Sequence, residues 1–124
     1  MSHLYRMYAY LEVDAPLQES EHDFWRDVLN RCTESPSDVL EGNETGHSET
    51  VDVYRRDGKT QFACEIELTL CCGYSHEEYA ADFRRALHFL TKDVVPDFRV
   101  SLNCYYLEYE ADLAVEYSRE ELAA

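Results

Sequence analysis

Hydrophobic and polar residues alternate over four stretches of this chain and recur at helical spacing over two. The clearest stretch runs from Thr50 to Cys72, where two alternating segments flank Asp57-Gly58. A two-residue type I′ turn needs positive φ at both central positions, which Asp and Gly tolerate, so this pair sets the register of a hairpin. Arg56 then faces Lys59, Tyr54 faces Gln61, Val53 faces Phe62, Asp52 faces Ala63 and Val51 faces Cys64. Period 2 turns Val51, Val53, Phe62, Cys64, Ile66, Leu68 and Leu70 toward a core. It leaves Asp52, Tyr54, Gln61, Glu65, Glu67 and Thr69 on the opposite face.

Residues 4–13 alternate in the same way, with Tyr5, Met7, Ala9, Leu11 and Val13 on one side and Arg6, Tyr8, Tyr10 and Glu12 on the other. Pro16 closes this strand. Ser20 offers an N-cap to a first helix whose stripe is Phe24, Trp25, Val28, Leu29 and Cys32. From Thr33 to Ser48 periodicity is lost and Pro36, Gly42, Asn43 and Gly46 predict a loop. Ser75 and Glu78 form a capping-box signature for a second helix, buried along Tyr79, Phe83, Ala86, Leu87 and Leu90. After Pro96, a fourth strand alternates Phe98, Val100, Leu102, Cys104 and Tyr106 with Arg99, Ser101, Asn103 and Tyr105. Beyond Tyr109, Leu113, Val115, Tyr117 and Leu122 sit among carboxylates and predict a C-terminal helix.

The order β-α-β-β-α-β, read as a single domain over residues 1–124, predicts an α+β fold of ferredoxin-like type. Its four-stranded antiparallel sheet would carry two helices on one face, with a short C-terminal helix added. Right-handed crossovers would set the first and third strands at the centre.

Charge changes this picture most. Twenty-six acids against eleven Lys and Arg give a net charge of −15, which repels nucleic acid and acidic membranes and draws basic partners. The N-terminus shows no leader pattern and no apolar run has transmembrane length. With five cysteines, an odd number, this predicts reduced thiols and a cytoplasmic protein.

Four chemistries compete for the sequence. Tyr8 and Tyr10 on a four-stranded sheet suit base stacking, but the third strand presents Gln61, Ala63, Glu65, Glu67 and Thr69 where aromatics would be needed, so direct nucleic-acid binding is not expected. Cys71, Cys72 and His76 lie close in sequence without the spacing of a zinc site, and no metal or other cofactor is expected. No nucleophile elbow or phosphate-binding loop exists, and none of the five histidines stands at motif spacing, so the chain is not expected to be an enzyme.

What remains is a tyrosine-bearing acidic surface. Its expected residues are Tyr8, Tyr10, Glu12, Asp52, Glu65 and Glu67 on the sheet, with Glu41, Glu44 and Glu49 from the loop. Glu65 and Glu67 would stand about 7 Å apart, close to the spacing of successive phosphates. The expectation is a small inhibitor, monomeric or homodimeric, that offers DNA-like charge to a basic nuclease or similar protein. A phage or mobile-element anti-defence protein, such as an anti-CRISPR or anti-restriction protein, has this character. The alternatives are an immunity protein against a nuclease toxin, and a ferredoxin-like enzyme or small-ligand binder.

Overall fold

A computed structural model describes residues 3–43, 51–71, 73–107 and 111–123, the side chains of 111 and 112 excepted. The fold is α+β. Its elements in order are β1 (His3–Val13), α1 (Glu19–Glu34), α2 (Pro36–Glu41), β2 (Asp52–Arg56), β3 (Lys59–Leu70), α3 (His76–Thr91), β4 (Phe98–Tyr106), β5 (Ala111–Ser118) and α4 (Arg119–Ala123). The strands make one antiparallel sheet in the order β2-β3-β1-β4-β5.

The hairpin forms in the expected register, Arg56 opposite Lys59 through Asp52 opposite Ala63. Its turn holds Asp57 at φ 51° and Gly58 at φ 75°, the left-handed pair that a type I′ turn demands. β1 is the middle strand, paired with β3 on one side and β4 on the other. Its inward residues Met7, Ala9, Leu11 and Val13 are buried with Phe62, Cys64 and Ile66 of β3 and Val100, Leu102 and Cys104 of β4. Trp25, Val28, Leu29 and Cys32 of α1 and Tyr79, Phe83, Ala86 and Leu87 of α3 close the same core, so both long helices cover one face of the sheet.

Five expectations fail for identifiable reasons. The sheet has five strands, not four. The chain after 110 does not fold as a helix but as β5, followed only by the five-residue α4. Leu113, Val115 and Tyr117 are half-buried at every second residue, and as a strand they cover the edge of β4, whose Leu102 and Cys104 are fully buried.

The expected loop contains α2, which starts on Pro36 at its first position and ends at Gly42, held left-handed at φ 78°. It turns Pro36 and Val39 into the protein and packs on α3. On α1 the cap is Gln18, not Ser20, and its backbone N–H donates to the Glu21 carboxylate at 3.0 Å. Phe24 leaves the stripe and lies 45% exposed, while His22 takes the buried position three residues before Trp25. α3 opens as expected, with the Glu78 N–H donating to the Ser75 hydroxyl at 3.1 Å.

Candidate functional site

Among the described residues no helix covers the other face of the sheet, and strand pairing lays its side chains out in rows. Glu67, Arg6 and Tyr105 share one row and Glu65, Tyr8 and Asn103 the next. Asp52, Ala63, Tyr10, Ser101 and Glu116 follow, then Tyr54, Gln61, Glu12 and Arg99. Six of the nine expected surface residues thus lie together: Tyr8, Tyr10, Glu12, Asp52, Glu65 and Glu67. Glu41 does not join them, because it ends α2 on the helix side, where the Asn43 side-chain amide donates to it at 3.2 Å. Glu44 and Glu49 lie outside the described residues.

Four carboxylates of this face are answered by cations inside it. Arg6 reaches Glu67 at 2.7 Å and Glu65 at 3.4 Å, so one guanidinium closes the pair that was expected to mimic phosphates. Glu12 accepts from the Gln61 amide at 2.8 Å and from Lys59 at 3.3 Å. Glu116 meets Arg99 at 2.9 Å. These contacts set the proton affinities. The Gln61 hydrogen bond, with help from Lys59, holds the Glu12 carboxyl below the usual value. Glu67 and then Tyr8 raise the Arg6 guanidinium, and desolvation, reinforced by Glu12, raises the Tyr10 phenol.

Four cations (Arg6, Arg56, Lys59, Arg99) stand against five carboxylates (Glu12, Asp52, Glu65, Glu67, Glu116) among the described side chains of the face. Its described side chains are therefore nearly balanced in charge, on a chain of net −15. The helix layer is not: α1, α2 and α3 carry ten carboxylates and four arginines. Sequence reasoning assigned Arg6 and Arg99 to the correct face but not to their partners, since Arg6 and Glu67 meet only once the β1–β3 register is known.

Tyr8 and Tyr10 are 36% and 38% exposed and stand beside the small residues Asn103, Ser101 and Ala63. Tyr8 meets Tyr105 edge-on at 5.4 Å between ring centroids. Between them lies a shallow hollow of about 330 Å³ lined by Arg6, Tyr8, Asn103, Tyr105 and Leu107.

The other candidate chemistries sit elsewhere. His76 opens α3 but turns inward rather than to solvent, its Nδ1 3.3 Å from the buried Tyr5 hydroxyl. Cys71 is exposed and Cys72 lies outside the described residues. Among the described residues no three His, Cys, Asp or Glu side chains gather as a metal site would require. No helix among them is long and apolar enough to cross a membrane. No protein-family model, curated protein or solved structure matches this chain.

Proposed function

We propose that this protein is a small, non-catalytic acidic binding protein whose target is a basic nucleic-acid-handling protein, such as a nuclease. Anti-defence inhibitors and immunity proteins act in this manner. We read β1 to β4 with α1 and α3 as a ferredoxin-like unit to which β5 is added at the β4 edge. The observation that carries the function is the uneven distribution of charge. The excess of ten carboxylates over four arginines on the helices is large enough to steer a cationic surface, whereas the sheet face is close to balance.

The contact is thus assigned to the side of α2 and the start of α3, where Glu41 and Glu77 are exposed, in preference to the Glu65–Glu67 row that Arg6 already neutralises. The experiment is to capture the partner from host lysate and measure association rates against ionic strength. Glu41→Gln with Glu77→Gln should slow association at low salt more than Glu65→Gln with Glu67→Gln does. If neither pair alters the rate, charge does not guide binding and the reading fails.

A further inference from the structure

We propose that the open face of the sheet is where two copies of this chain pair, face to face, about a two-fold axis that crosses β1 at Ala9 perpendicular to the strands. The argument begins with charge. Two chains of net −15 repel each other over most of their surfaces, and the nearly balanced sheet face is where they can approach at least cost. The face is also large enough. Five strands about 4.8 Å apart and about nine residues long present roughly 700 Å², close to the roughly 800 Å² that each partner contributes to a stable interface.

The register follows from the order of residues along the strands. Ala9 pairs with Cys64 on β3 and with Leu102 on β4, so an axis at this level relates residues equally spaced on either side of it. Tyr8 of one copy then faces Tyr10 of the other, and Arg6 faces the other copy's Glu12. On β3 Glu67 faces the other copy's Gln61, and on β4 Tyr105 faces its Arg99, a cation over an aromatic ring. Tyr10 is positioned to enter the hollow between Tyr8 and Tyr105, which Asn103 also lines. A two-fold axis parallel to the strands would instead set Arg6 against Arg6 and Glu12 against Glu12. Opposite charges select the first arrangement.

This pairing is separable from the acidic helix side by the sign of its salt dependence. Salt weakens attraction to a basic partner. For two like-charged chains it removes repulsion, as the screening length falls from about 30 Å at 0.01 M to about 8 Å at 0.15 M. Sedimentation velocity over a range of concentrations should find a dimer that tightens over that range of salt. Tyr8→Asp should weaken it by at least about tenfold. The register is tested by crosslinking in a Cys71→Ser, Cys72→Ser background. Facing sheets stand about 10 Å apart, beyond the reach of a disulfide, so the reagent is a short bismaleimide. A mixture of Tyr8→Cys and Tyr10→Cys chains should then yield the mixed crosslinked dimer in excess over the product of either chain alone. A monomer under every condition overturns the proposal, as does a dimer indifferent to Tyr8→Asp. Equal crosslinking in all three samples overturns the register, and a monomer whose sheet face is protected only by an added basic protein assigns the face to that protein instead.

Discussion

Tyr79→Phe isolates one buried hydrogen bond between the two long helices. Tyr79 lies on α3 with 1% of its surface exposed, and its hydroxyl donates to the backbone carbonyl of Thr33 in the last turn of α1. Carbonyls there have no partner within their own helix, so the phenol caps the end of α1 from a neighbouring element. Burial also pushes the Tyr79 phenol far above its ordinary pKa, so it remains a donor throughout the range in which the protein is handled. Phe fills the same space without the oxygen. The loss is therefore that of a hydrogen bond plus the exposure of the Thr33 carbonyl to an apolar wall, about 1–2 kcal/mol. For a chain of this size that lowers the melting temperature by roughly 4 °C per kcal/mol. Urea unfolding followed by circular dichroism should show a lower midpoint with an unchanged slope. A Phe variant as stable as the native protein would refute the claim that this bond ties α1 to α3.

Gly58→Val should destabilise the hairpin, because it forces a β-branched residue to the φ of 75° that Gly58 holds; a melting temperature equal to that of the native protein would contradict the turn assignment. In the folded protein Cys71 should react rapidly with a thiol reagent, while Cys32, Cys64 and Cys104 should react only on unfolding. Burial raises the Cys32 thiol well above its ordinary pKa, which removes the reactive thiolate as well as access to it, so fast labelling there would overturn the core assignment.

The elements that could be read from sequence are those whose signal is local. Asp57-Gly58 dictates its own backbone angles, and the alternation on either side needs no knowledge of the rest of the chain. Ser75 with Glu78 is equally self-contained. α2 escaped notice because six residues are too few to show a period, although Pro36 and Gly42 mark both of its ends. In β5, Leu113 and Tyr117 stand four positions apart and so imitate a helical face. Val115 between them is the strand signal, and the unpaired edge of β4 decides the matter. Phe24 falls out of phase with the α1 stripe, since His22, Trp25, Leu29 and Cys32 define the buried line. The site was half legible. Outward positions followed from period 2, but the neutralising contacts of Arg6 and Lys59 join residues 47 or more positions apart and exist only through strand register.

The two edges of the sheet bear on how copies of this protein can meet. β2 is only five residues long, Asp52–Arg56, so it offers a second copy a short ladder of backbone groups. β5 is longer, but the segment Ala111–Ser118 contains Asp112 and Glu116 and no Lys or Arg, so two β5 strands would oppose carboxylates. The acidic β5 edge thus repels its own copy and the short β2 edge offers one little to hold, whereas the open face carries both signs in an order that a two-fold axis can match. Pairing through both edges would also continue indefinitely from one molecule to the next. Pairing by the face closes after two copies, since each has only one such face. The short β2 edge and the acidic β5 edge therefore leave the Tyr8–Tyr10 face as the surface on which association can be both favourable and finite.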